Sequence, residues 1–200
     1  MTRPNTKAWL SEVFQNAIRP TSDYDLNKGA KGPTGRKLRP AAVLVATQII
    51  HGDAYVLLTK RSSAMRHHPG QIAFPGGKQD DDDHDLTDTA LREAQEEIGL
   101  PRDCVEILGE LPPHETVTGF LVTPVLSFVT KPFYAIPEYG EVDEVFKVPL
   151  DHVTNPQHFR VESREWLGQQ RFYYTVPFGP YYIWGATARI LRSLADSLQS

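Results

Sequence analysis

The run Leu91-Arg92-Glu93-Ala94-Gln95-Glu96-Glu97-Ile98-Gly99-Leu100 places three acids at i, i+3 and i+4. At ~100° per residue Glu93, Glu96 and Glu97 fall within one solvent-facing arc, and Ala90, Leu91, Ala94 and Ile98 fill the neighbouring, core-facing arc. Like charges at these spacings cost a few tenths of a kcal/mol each on an exposed helix, so a cation is needed to offset them. A hard divalent ion does this well, because Mg²⁺ takes one or two carboxylates and completes its octahedron with water and phosphate oxygens. By itself such a string is an ordinary solvated face with Arg92 as counter-ion; the upstream context changes that reading. From 59 to 79 there is no acid, while Lys60, Arg61, Arg66 and Lys78 are cationic and His67 and His68 can be. The same stretch holds Phe74-Pro75-Gly76-Gly77, whose glycines let backbone N–H groups approach a phosphate. Cationic loop, Gly-Gly turn and carboxylate helix in succession describe a diphosphate site with its metal, and hydrolysis is the chemistry such a site performs.

Several elements must position these groups. Leu86, Ala90, Leu91, Ala94 and Ile98 mark the helix, Gly99 its stop, and Pro101 prevents continuation. Residues 41–50 and 55–59, rich in Val, Ile and Leu, read as strands joined by a turn over 51–54, and a long loop follows. Residues 105–111, 117–130 (interrupted by Pro124), 144–148, 171–176 and 181–184 are β-prone, and 186–198 returns to helical spacing. Upstream, 7–18 carries one apolar helical stripe expected to dock on the domain, and 20–40 reads as a mobile surface connection. Strands, helix, strands, helix suit an α/β fold with a mixed sheet.

Two hundred residues with 21 Lys+Arg against 25 Asp+Glu, a net charge of −4, describe one ordinary domain. That balance gives no broad basic face for nucleic acid. The most apolar run, 41–50, is half the ~20 residues of a membrane span and contains Thr47 and Gln48. Cys104 is the only cysteine, which excludes an internal disulfide or a cysteine zinc cage. Without a secretory or transit pattern, the cytoplasm is the expected compartment. Oligomeric state is not legible.

Gly76-Gly77 followed by the run from Arg92 to Leu100 resembles the Nudix box of hydrolases acting on nucleoside diphosphates linked to another moiety. Leu57-Leu58-Thr59-Lys60-Arg61-Ser62, Arg66, Gly70 and Phe74-Pro75-Gly76-Gly77 resemble the additional motif of the coenzyme A diphosphatase branch. The resemblance runs from about Arg39 to the C-terminal helix. It implies a Nudix-type α/β/α sandwich over 41–200, preceded by a helix and linker over 1–40. It also implies dependence on Mg²⁺ or Mn²⁺ and cleavage of coenzyme A, or its acyl derivatives, into 3′,5′-ADP and 4′-phosphopantetheine. By position, Glu93 and Glu97 are the metal ligands, Glu96 is a further ligand or polarises the attacking water, and Arg92 orients the glutamates. Arg61, Arg66, Gly76 and Gly77 fall beside the substrate phosphates, with Lys78 as a further cation.

One departure stands out. Counting back from Arg92, the family's glycine and first glutamate fall on Lys78 and His84, and Asp80–Asp83 and Asp85 occupy that spacer with no assigned role. A second acidic cluster, Glu141, Asp143 and Glu144, is a charged turn or the source of a base, Glu144 foremost. His114 is structural or lines the cleft; Phe120, Tyr173, Tyr174 and Trp184 are core or stack on adenine; Cys104 is a small apolar residue. The alternatives are a Nudix hydrolase of other specificity, such as for ADP-ribose or a dinucleotide, and a non-catalytic nucleotide sensor.

Overall fold

The computed structural model describes residues 19–27, 35–166 and 168–198. The helix expected over 7–18 lies outside them. In chain order the elements are β1 (Thr21–Ser22), β2 (Arg39–Ile50), β3 (Asp53–Arg61), β4 (Ile72–Ala73), β5 (Gly76–Lys78), α1 (Leu86–Ile98), β6 (Val105–Glu110), β7 (His114–Glu115), β8 (Phe120–Val129), β9 (Val142–Pro149), α2 (Leu150–Val153), β10 (Arg160–Trp166), β11 (Gln169–Thr175) and α3 (Gly185–Ser197).

The central strand β2 runs parallel to β8 and antiparallel to β3 and β5; β9 and β4 pair with β3, and β6 and β7 with β8. The sheet is therefore mixed. Strand periodicity sends Ala42, Leu44 and Ala46 of β2, with Leu57 of β3, against Ala90, Ala94 and Ile98 of α1. Val45, Val56 and Leu58 face the other way, toward Ala188, Leu191 and Ala195 of α3. Helix, sheet and helix form three layers, as the resemblance implies. Both faces of the sheet are covered, so β2 and β3 read as almost continuous apolar runs.

Several sequence expectations change. The segment 20–40 is not wholly a connection: β1 extends the sheet by pairing in parallel with β7. Its anchor is His114, fully buried, which shares hydrogen bonds with Thr21 Oγ1 (2.9 Å) and Asp23 Oδ1 (3.1 Å). His114 is thus structural. Pro124 does not interrupt β8. Its carbonyl accepts from Leu111 N–H, so its missing N–H faces Leu111, just past the end of β6, and costs only the reciprocal bond at the margin of that pairing. Residues 181–184 make two isolated bridges instead of a strand. The loop after 59 contains β4 and β5. Strand β10, unforeseen because it is mostly polar and almost wholly exposed, forms a separate two-stranded hairpin with β11.

Candidate active site

Helix α1 starts where the Asp85 side chain accepts from Asp88 N–H at 2.8 Å. It stops at Gly99, whose φ of 66° is the left-handed conformation that glycine adopts freely. The helix lies beside β5, and the two glycines there meet its carboxylates. Gly76 N–H donates to Glu97 Oε2 at 3.0 Å. A Cβ at Gly77 would stand 2.5 Å from Glu93 Oε1, so the absent side chain is what admits that carboxylate.

The three glutamates do not share one solvent-facing arc. Glu97 is buried (4% exposed), with Arg61 Nη1 3.6 Å from its Oε1. Glu96 is open (60%) and ties Oε2 to Arg92 Nη1 at 2.9 Å. Glu93 lies between, 3.0 Å from the same nitrogen. Arg92 is itself gripped by Asp83, which accepts from Nε at 2.8 Å and from Nη2 at 2.9 Å, and its Nη2 also reaches Lys78 O at 3.3 Å. That two-pronged contact holds the Asp83 carboxyl far below its ordinary range and raises the guanidinium further. Asp83 thus supplies an acid that braces Arg92 one position before the residue where the family pattern expects a glutamate. The aspartate-rich spacer was the available signal, although spacing alone did not single out this member.

Burial pushes the Glu97 carboxyl up to about 7, against the lowering effects of Gly76 N–H and Arg61 and with further raising by Glu93 and Glu141. Glu93 is also raised, chiefly by burial. The folded chain binds the Glu97 proton more tightly than the unfolded chain, so Glu97 penalises folding increasingly from its ordinary value near 4.5 to about 7 and fully above that. In metal-free protein, the stability of Glu97→Gln relative to the parent should therefore rise by about 3 kcal/mol between pH 4 and pH 9. Urea unfolding of both proteins at the two pH values measures it; a constant difference would contradict the burial argument.

A hard divalent cation fits this donor set. It is all oxygen, burial raises the proton affinity of both inner carboxylates and Glu93 raises that of Glu97 further, and Gly77 leaves room for one of them against the strand. Among the described residues no three His, Cys, Asp or Glu side chains form a ready-made cage. An ion here would take Glu93 and Glu97 and complete its shell from water and phosphate oxygens.

Arg61, Gly76, Gly77, Arg92, Glu93, Glu96 and Glu97 are thus brought together. Glu144 is not with them. It pairs with Lys60 across β3 and β9 and so points to the α3 side of the sheet, where its Oε1 accepts from Tyr181 OH at 2.5 Å. Glu141 is the acid of that cluster near enough for its charge to act on Glu93 and Glu97. Arg66 lines a cleft with Lys60 and Glu144 instead of touching the glutamates, and the Lys78 ammonium lies 3.7 Å from Asp80. Of the expected stacking residues, Trp184 and Tyr173 do border clefts, whereas Tyr174 packs on the core.

The model of the NUDIX domain matches residues 37–170. Over 157 residues the chain is 41% identical to the uncharacterized Nudix hydrolase NudL of Pectobacterium atrosepticum, covering 78% of this chain and 81% of that one. It is 39% identical over 190 residues to the mitochondrial Nudix hydrolase 15 of Arabidopsis thaliana, covering 91% of this chain and 64% of that protein. A MutT protein structure from Methanosarcina mazei shares the fold, with a TM-score of 0.52 at 20% identity over 83% of this chain and 98% of that one. No helix among the described residues is long and apolar enough to cross a membrane. With its family model spanning the site just described, the chain belongs to the Nudix family and is a hydrolase acting on the diphosphate bond of nucleoside diphosphate derivatives.

Proposed function

We propose that the diphosphate cleaved is that of coenzyme A or its acyl derivatives, releasing 3′,5′-ADP and the 4′-phosphopantetheine half. One observation carries this reading. The stretch that resembles the coenzyme A branch runs from β3 to β5, and it delivers Arg61 and Gly76 to Glu97 on one side of the sheet and Arg66 to a large cleft on the other.

In this reading Glu93 and Glu97 hold Mg²⁺ or Mn²⁺, which when bound neutralises charge on the diphosphate and acidifies a water. Arg61 adds positive charge beside the diphosphate while fixing the Glu97 carboxylate. Arg92, braced by Asp83, keeps Glu93 and Glu96 aimed. Glu96 bonds Arg92 through Oε2 only, which leaves Oε1 to take the proton of the attacking water. Glu144 belongs to the cleft and not to the proton-transfer step, because the sheet separates it from the three glutamates.

The test compares initial rates on coenzyme A, acetyl-coenzyme A, ADP-ribose and a dinucleoside polyphosphate at equal metal, with products identified by mass. The proposal expects kcat/KM highest on a coenzyme A species. A higher value on ADP-ribose or the dinucleotide assigns the same site to another member of the substrate class and ends the coenzyme reading.

A further inference from the structure

We infer that the cleft between the β3–β4 loop and the β10–β11 hairpin receives a purine ring bearing a phosphomonoester, and that Arg164 recognises that phosphate. Naming the group as the 3′-phosphate of coenzyme A rests on the function proposed above; the cleft's ligand class does not.

The cleft encloses about 880 Å³, a volume suited to a nucleotide. Its charge is one-sided. Lys60, Arg66 and Arg164 line it, and among the described residues none of the three has a carboxylate partner within ion-pair distance. The acid on its wall, Glu144, accepts the Tyr181 hydroxyl. In a chain of net charge −4, three cations around one cleft call for an anion.

Hairpin register sharpens this. Arg164 of β10 stands directly opposite Arg171 of β11, a like-charge cross-strand pair that costs stability unless an anion lies between or beside the two groups. Arg171 lines the adjoining cavity, which Arg164 also borders. The Arg164 guanidinium carbon lies 5.1 Å from the Trp166 ring centroid and 4.6 Å from that of Trp184. Cation–π contact with indoles places the guanidinium without using its N–H groups as ion-pair donors, which leaves them for forked hydrogen bonds to phosphate. Alternation along β10 puts Glu162 on the same face, where it accepts the Tyr182 hydroxyl at 2.6 Å and ties the hairpin to the segment before α3.

The same wall offers flat apolar surface. Trp166 and Tyr182 are each 43% exposed, large rings left open within one cleft. Exposed rings beside unpaired cations match a nucleobase and its phosphate. The scissile diphosphate already has Arg61 on the α1 side, so the cleft's cations exceed what that group needs. Lys60 and Arg61, adjacent on β3, point to the two sides, and a ligand reaching from one to the other rounds the end of this strand.

The experiment has two arms. Arg164→Gln, checked for an unchanged circular dichroism spectrum and melting temperature, should lower the ratio of kcat/KM on coenzyme A to that on dephospho-coenzyme A by about 10- to 100-fold, mainly through KM, the range expected for loss of a charge-assisted hydrogen-bond pair. Trp166→Ala should lower both values together, because both substrates carry the ring. An unchanged ratio in Arg164→Gln overturns the assignment. The second arm is calorimetric binding of 3′,5′-ADP and of 5′-AMP to metal-free protein. The parent should prefer 3′,5′-ADP and Arg164→Gln should lose that preference. If coenzyme A is not cleaved but this preference depends on Arg164, the coenzyme reading fails and the cleft assignment stands. If coenzyme A is cleaved and the preference is absent or indifferent to Arg164, the cleft assignment fails alone.

Discussion

Glu97→Gln should lower kcat on the preferred diphosphate by more than about 100-fold while the protein stays folded. Losing a group that only orients a metal ligand costs roughly 10- to 100-fold, and Glu97 is here proposed as the ligand itself. Its amide cannot offer two anionic oxygens, yet it is nearly isosteric and can still accept from Gly76 N–H. The fold does not need the charge. A carboxyl with 4% exposure, raised to about 7 by burial, is a cost to the metal-free chain above neutral pH, so the inactive variant is the more stable protein there. Loss of activity with a gain in stability separates a functional carboxylate from a structural one. Activity within a few-fold of the parent would remove Glu97 from the reaction.

The two neighbouring glycines should fail in different ways when changed to Ala. At Gly76 a Cβ would lie 2.4 Å from Ala42 O and 2.6 Å from Val43 Cα, backbone atoms of the central strand, and φ is 155°. The β2–β5 pairing must shift to relieve that contact, and Gly76→Ala should lose several kcal/mol of stability, about 3 or more, as clashes and strained backbone do. At Gly77 the atoms nearest the new Cβ are those of the Glu93 carboxylate, the far end of a side chain. That side chain can swing away, so Gly77→Ala should unfold within about 1 kcal/mol of the parent but lose activity by about 10-fold or more because a proposed metal ligand is displaced. Denaturant curves and initial rates on both variants check this. Equal stability losses would mean that the missing side chain at Gly77, like that at Gly76, serves the strand and not the Glu93 carboxylate.

The elements legible in the sequence are those that bury long apolar stretches or stripes. β2 and β3 stand out as nearly continuous apolar runs because both faces of the sheet are covered, and α1 and α3 as apolar helical stripes because each presses one side on that sheet; their bounds were legible to within a few residues. β4 and β5 were not, being two and three residues long with glycines and a proline around them. β10 was hidden because nothing large covers it and its pattern is polar. In the site, helical spacing grouped the three glutamates but could not show that β5 would cover Glu97 and leave Glu96 open. Nor could it choose among the aspartates of 80–85: which one reaches Arg92 depends on how the loop folds back, and that is a tertiary fact. Glu144 shows the reverse. An acid close in sequence to Glu141 falls on the opposite face because neighbouring strand residues alternate and a bulge at Lys60/Arg61 shifts the register.

The proposed chemistry requires that the α1 carboxylates hold the cation at which the diphosphate is cleaved. Titration of Mn²⁺ into the parent, Glu93→Gln and Glu97→Gln, followed by the electron paramagnetic resonance signal of the free ion, tests it without relying on turnover. The parent should take up Mn²⁺, and each variant should do so at least about 10-fold more weakly. Equal affinity in all three proteins would contradict it.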